Sequence, residues 1–300
     1  MAIDVSIRRL RYYWSVYLLI ALPLLGVLVF SYYPIFNGLV HIFYRWDGDT
    51  IEEFVGLKNI RDMFGDSDIG WSFVVVAIFI VANVIKMIPS ILTAVIIHRL
   101  VSDRWQYAYR VLFVIPMIVP MIVWILIWKY YYEPTSGFFN QILRAIHVLG
   151  PTDNILWLSD KWLVIPSLIF MGFPWVGAFG VLIYLAGLQN IPQSTYEAAN
   201  LDGAGPLQTL WYIELPLIMT QIRITLVLMI IQTVQNWQFV YLFLGEQAGP
   251  DHIADVPGLV LFRESFSQGR MGYGCAIGFL LFIVTLVLTW INNKVARVER

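Results

Sequence analysis

Apolar residues in this chain are gathered into long runs, separated by polar segments rich in turn-forming residues. A bilayer core of about 30 Å takes about 20 helical residues to cross, so apolar runs of about 17 residues or more are candidate spans. Six qualify: about Tyr13 to Phe36, Trp71 to Ile97, Val111 to Tyr131, Trp162 to Leu188, Leu217 to Leu244 and Gly272 to Ile291. They predict an all-α integral membrane protein with six transmembrane helices and leave no stretch long enough for a separate soluble domain. The expected layout is one transmembrane domain over 1–300, with a core of about 71–292, a first span plus outer segment over 13–70, and a connecting loop over 189–216.

The first run follows Arg8, Arg9 and Arg11 and so has the charge flank of a secretion signal. It is too long for one and is followed by no small-residue cleavage pattern, so it reads as a retained span. An even number of spans puts both ends on one side, and basic residues select the side. The N-terminal tail (Arg8, Arg9, Arg11, Asp4), the segment after the second run (Arg99, Asp103, Arg104, Arg110) and the C-terminal tail (Lys294, Arg297, Glu299, Arg300) each net +2. Residues 37–70 carry seven acids against Arg45, Lys58 and Arg61, netting -4. Both termini are therefore expected in the cytoplasm, with the 189–216 loop beside them. Tyr12, Tyr13, Trp14, Trp128 and Tyr130 to Tyr132 read as aromatic belts at the membrane surface.

Composition agrees. Hydrophobic residues make up 59% and charged residues 13%, roughly half the share usual in a soluble domain, which is about 25%. Twelve Trp, 16 Tyr and 19 Phe exclude a disordered chain. A net charge of -1 offers no field for nucleic acid. The lone Cys275 forms no internal disulfide and reads as a small packed residue.

The loop between the fourth and fifth runs carries the most information. Pro192 and Pro206 suit first helical turns, and Gly203 permits the positive φ that ends one helix before another begins. Two short helices joined by a tight bend are expected. A plain connector needs only a few residues, whereas this one spends 28, so a docking role is favoured.

Glu197-Ala198-Ala199, Asp202-Gly203-Ala204, Ile213 and Leu215-Pro216-Leu217 resemble the EAA loop in membrane subunits of binding-protein-dependent ABC importers, in the branch of the maltose and glycerol-phosphate permeases. The resemblance extends to Phe54 to Asn59, Leu112 to Pro120, Trp157 to Asp160 and Gly245 to Pro250, and covers roughly 10–295. Two departures are Leu210, where the family usually has an aromatic, and Glu214, where it usually has a small polar residue. The resemblance implies the type I ABC importer transmembrane fold, in the cytoplasmic (inner) membrane of a bacterium. It makes Glu197, Ala198, Ala199, Asp202, Gly203 and Ala204 the coupling residues that enter a groove on a cytoplasmic ATPase subunit. It also implies a second homologous permease, two ATP-binding subunits and an extracytoplasmic solute-binding protein. Small alanines allow close approach and Glu197 can meet a basic partner; Asp202 reads equally well as a local cap. With no G-x-x-x-x-G-K-[ST] loop, the chain is no ATPase by that route, and ATP and Mg belong to the partner subunit.

None of the six cores contains Asp, Glu or His, which argues against ion coupling and against a charged selectivity ring. The absence of H-E-x-x-H, G-x-S-x-G and intramembrane carboxylates argues against a membrane-embedded enzyme. Lys86, deep in the second run, reads either as a substrate or gate contact or as a snorkelling or partner-paired lysine. In the fifth run, Thr225, Gln232, Gln235, Asn236 and Phe239 share one helical face at 100° per residue, with Gln238 at its border and Trp237 pointing away. Amides beside rings suit a sugar, since amides bond hydroxyls in both directions and rings cover C–H faces. The alternative is bonding between helices; the resemblance, which places sugar-binding side chains on the corresponding helix, favours the sugar. Trp175 and Phe179 are weaker candidates. A mono- or oligosaccharide is the expected cargo, with another neutral polar solute or a glycerol-phosphate-type substrate as the alternative. Pro23, Pro89, Pro116, Pro120, Pro166 and Pro174 are expected to kink spans.

Overall fold

The computed structural model describes residues 13–50 and 52–295, with side chains described through Ile291. The expected tail charges at Asp4, Arg8, Arg9, Arg11, Lys294, Arg297, Glu299 and Arg300, and the belt residue Tyr12, lie outside what is described. The chain divides into two compact units: the described residues up to Gly65 with Leu261–Leu280, and Asp66–Val260 with the described residues from Leu281.

The smaller unit opens with helix α1 (Trp14–His41), none of whose most apolar window is buried within the chain. Leu22 and Phe30 are 75% and 81% exposed, a surface tolerable in lipid and aggregation-prone in water. A hairpin follows, β1 (Tyr44–Trp46) against β2 (Glu52–Phe54), antiparallel with Arg45 opposite Glu53. It amends the expectation of an all-helical chain. In β1 the aromatic Tyr44 and Trp46 flank Arg45, and Asp47 closes the turn by accepting from the Asp49 and Thr50 amides, both at 3.0 Å. Helix α2 (Lys58–Gly65) completes the segment; Asn59 donates to the Ile42 and Tyr44 carbonyls, both at 2.8 Å, and ties it to the hairpin.

The larger unit is built around α3 (Ser67–His98), capped by the Asp66 carboxylate on the Asp68 amide at 2.9 Å. Pro89 lies inside it without interrupting it. The third apolar run is not one helix. The amphipathic α4 (Asp103–Val114) and the apolar α5 (Met121–Tyr131) are bent 88° from each other, because Pro116 and Pro120 withdraw backbone donors from the junction. The fourth run is also interrupted. α6 (Phe138–Ala145) precedes α7 (Val164–Phe170), which stops before the Gly172-Phe173-Pro174-Trp175-Val176-Gly177 turn, and α8 (Ala178–Gln189) resumes beyond it. Two short helices, α9 (Gln193–Leu201) and α10 (Pro206–Leu217), lead into α11 (Met219–Gln235) at a 67° bend, and α12 (Trp237–Leu244) follows a break at Asn236. α13 (Pro257–Phe262) and α14 (Met271–Val295) end the fold. By length and composition α1, α3 and Met271–Ile291 suffice to cross a membrane alone, and the two bent pairs raise the total to five among the described residues.

Trp128 and Tyr132 correct the expected aromatic belt. Four residues apart, they share one helical face and turn inward, 8% and 3% exposed, onto Phe139, with Trp157 against Tyr132 and Phe170 against Trp128. Tyr132 donates its hydroxyl to the Ser167 carbonyl at 2.8 Å, which satisfies its polar end on burial. Tyr130, Tyr13 and Trp14 remain exposed.

Candidate functional site: an interhelical cavity and a helical elbow

Two adjoining cavities of about 440 and 380 Å³ lie between α3, the broken fourth run and α11–α12. Asn83, Lys86, Trp124, Met229 and Gln232 line both, so the two compartments share a wall. The break in the fourth run is what furnishes its wall. Trp175 stands at φ +61, in the left-handed region that costs a non-glycine residue on the order of 1–3 kcal/mol. The turn is tied to α3 by Ser90, whose Oγ accepts from the Gly177 amide at 2.9 Å and donates to the Trp175 carbonyl at 3.4 Å. So held, the Trp175 ring lies 5.9 Å from the Lys86 ammonium, a cation–π distance.

Of the expected cargo face, Thr225, Gln232, Asn236 and Phe239 line the cavity, as do Trp175 and Phe179. Gln235 and Gln238 are exposed and line neither part, and Trp237 packs on Gly258, where a Cβ would meet it at 2.9 Å. Two of these polar groups are already engaged. Thr225 is within 2.7 Å of the Tyr184 hydroxyl and bonds back to the Gln221 carbonyl, and the Asn236 side chain caps α12 by accepting from the Phe239 amide at 3.4 Å. The uninterrupted helical face expected across 225–239 therefore ends at Asn236, whose ψ of 65° breaks the helix. Asn83 donates to Thr233 at 3.0 Å, a helix-to-helix bond. The Gln232 amide has no protein partner among the described residues.

The 189–216 segment folds as two short helices, as its prolines and glycine predict. Pro192 caps α9, Pro206 sits at the first position of α10, and Gly203 at φ +75 ends α9 with the Ala204 amide returning to the Ala199 carbonyl at 2.9 Å. Glu197, Ala198, Asp202 and Gly203 are exposed, Ala204 is half-buried and Ala199 faces inward. Leu201, Leu207, Trp211 and Tyr212 stand out beside them, with Leu201 89% and Tyr212 80% exposed.

The inner side of this elbow is fastened to two helices, α3 and α8. Leu210, Ile218 and Ile191 join Ala94, Val95 and Ile97 of α3 and Val181, Tyr184, Leu185 and Leu188 of α8 in one apolar core. Beneath it Glu214, 0% exposed, receives Arg99 in a two-pronged contact: Nε to Oε1 at 3.0 Å and Nη2 to Oε2 at 2.6 Å. Arg99 Nη2 also donates to the Pro206 carbonyl at 2.9 Å. Tyr196 lies 3.1 Å from His98, and burial together with the Glu214 charge pushes its phenol up to about 12, so it stays neutral. The two family departures thus have a local cause. Leu210 fills the apolar core, and Glu214 answers an arginine that the sequence offered only as a topology charge. Ser90, Trp124 and Arg99 carry no local motif and were found by the structure alone.

Residues 90–298 match the family described as "Binding-protein-dependent transport system inner membrane component". Among relatives, the probable ABC transporter permease protein YurN of Bacillus subtilis is 29% identical over 92% of this chain and 94% of its own length. The trehalose/maltose transport system permease protein MalF of Thermococcus litoralis is 31% identical over 94% of both chains. Among solved structures, a chain of a bacterial alginate ABC transporter, crystallised in complex with an alginate pentasaccharide-bound periplasmic protein, aligns with a TM-score of 0.82, covering 98% of each chain at 19% identity. That last likeness is one of fold.

Proposed function

The chain belongs to the binding-protein-dependent transport system inner membrane component family, and we propose that it is one of two membrane-spanning subunits through which an ATP-driven importer passes a carbohydrate. It is a multi-pass permease component of an ABC transporter and not an enzyme; ATP is hydrolysed in a separate subunit. On this reading the chain is one permease domain with six spans in the bacterial inner membrane. The span beyond the five marked by length and composition is the interrupted fourth run, 162–188, and both termini and the elbow face the cytoplasm. An extracytoplasmic solute-binding protein delivers the sugar, a second homologous permease completes the pathway, and two ATPase subunits with their Mg and ATP grip the elbows.

The observation that carries the carbohydrate assignment is the free Gln232 amide facing the same cavity as the Trp175 and Phe239 rings. An amide donates and accepts, as a hydroxyl does, and ring faces cover the C–H surfaces of a pyranose. Coupling follows from the elbow. When the nucleotide-binding subunits close, docked elbows move together, and the Arg99–Glu214 contact and the shared core pass that movement to α3 and α8. Rigid tilting of these spans then opens the cavity toward the binding protein.

Measuring ATP hydrolysis of the reconstituted four-subunit complex, stimulated by its binding protein across a panel of glycans, tests this reading. Stimulation by a subset of glycans is expected. Gln232→Leu, which removes both hydrogen-bonding roles, should raise the half-saturating sugar concentration for uptake roughly tenfold. A panel in which every glycan is inert while amino acids or peptides stimulate would end the carbohydrate assignment.

A further inference from the structure

The cavity holds a charge that the carbohydrate reading does not use. Lys86 lines both of its parts, and no Asp or Glu lines either. Among the described residues no carboxylate pairs with it; its ammonium lies over the Trp175 ring, 5.9 Å from the centroid. Asn83, one turn away, spends its amide on Thr233. The cores of the six apolar runs contain no Asp, Glu or His, so this chain builds no intramembrane counter-ion.

An ammonium at membrane depth is costly, and such groups are retained where a pathway or a ligand makes use of them. Snorkelling would place the charge at a membrane surface. Here the side chain instead ends within a cavity, beside Gln232 and above a tryptophan held in a strained backbone conformation. A cation, an amide and an aromatic face around one space form a complete receptor for a sugar ring bearing a negative group. The ring face covers C–H surface, the amide takes a hydroxyl, and the cation takes the charge. Resting on the carbohydrate reading, we propose that the cargo is an acidic carbohydrate, a saccharide bearing a carboxylate, sulfonate or phosphate, whose anion is met by Lys86 while its ring lies against Trp175.

The test uses the whole complex in proteoliposomes with its binding protein, and uronate-containing oligosaccharides paired with their carboxyl-reduced neutral counterparts of the same linkage and length. Sulfonated and phosphorylated monosaccharides form two further arms that identify which anion is carried. Uptake of at least one acidic arm is expected to exceed its neutral counterpart. In Lys86→Gln the acidic-to-neutral uptake ratio should fall roughly tenfold or more, while Lys86→Arg keeps most of it. Three results would overturn the proposal: neutral counterparts carried as well as every acidic form; an acidic-to-neutral ratio in Lys86→Gln equal to that of the unaltered protein; or loss of the second permease from the Lys86→Gln complex on size exclusion, which would make Lys86 an assembly contact. In the first two the carbohydrate reading survives. Failure of all saccharides, acidic and neutral, would remove both.

Discussion

Glu214→Ala is expected to destabilise the protein by about 2 kcal/mol, less than the loss of one partner from a fully buried ion pair, because the guanidinium left behind is partly solvated. Glu214 is fully buried and receives two donors from Arg99, so its removal strands a guanidinium whose side chain is only 33% exposed. It also loosens the junction of α10 with the end of α3, where Arg99 donates to the Pro206 carbonyl at 2.9 Å. Thermal unfolding in detergent should therefore show a lowered midpoint, and transport per ATP should drop. The pair can be separated from its stability effect by Arg99→Met combined with Glu214→Leu. Two apolar residues of similar volume leave no orphaned charge, so most of the midpoint should return. Coupling should return less completely, because the link to Pro206 is gone. If Glu214→Ala melts and transports as the unaltered protein does, the contact plays no part in holding the elbow.

A second large effect is expected where the elbow is exposed. Glu197→Lys inverts a charge on the proposed docking face, and Gly203→Val forces a β-branched residue into a φ of +75. Nothing lies within 4 Å of the Cβ that Gly203 lacks, so the penalty there is conformational, on the order of 1–2 kcal/mol, and falls on the bend between α9 and α10. Neither position contributes to the apolar core that anchors the loop. Both variants should insert into the membrane in normal amount yet lose transport, with uptake reduced roughly a hundredfold when the docking surface no longer fits. Normal uptake in both would mean that this face engages no motor.

Much of this architecture is written locally and is therefore legible. Composition alone marks α1, α3 and the last span, because nothing but lipid accommodates such runs. The elbow is equally plain, since Pro192, Gly203 and Pro206 act on their own backbone. What escapes is whatever depends on distant partners. Pro116 and Pro120 announce a kink, but an 88° bend depends on what packs around them. Gln232 and Gln235 look alike by helical angle, yet the cavity admits one and not the other, because its walls come from α3 and the fourth run. Trp175 reads as ordinary packing until the turn after Gly172 and its tether to Ser90 are seen. Arg99 and Glu214 lie 115 residues apart, and no spacing rule joins them.

Chemical labelling of Ala198→Cys, in a Cys275→Ser background, tests the docking elbow most directly. A membrane-impermeant maleimide is applied to one side of sealed vesicles at a time, with and without the ATPase subunits. Reaction is expected only from the cytoplasmic side, and binding of the ATPase subunits should suppress it. Labelling from the exterior, or labelling that the ATPase subunits leave undiminished, would contradict the assignment of this loop as the point where the motor engages.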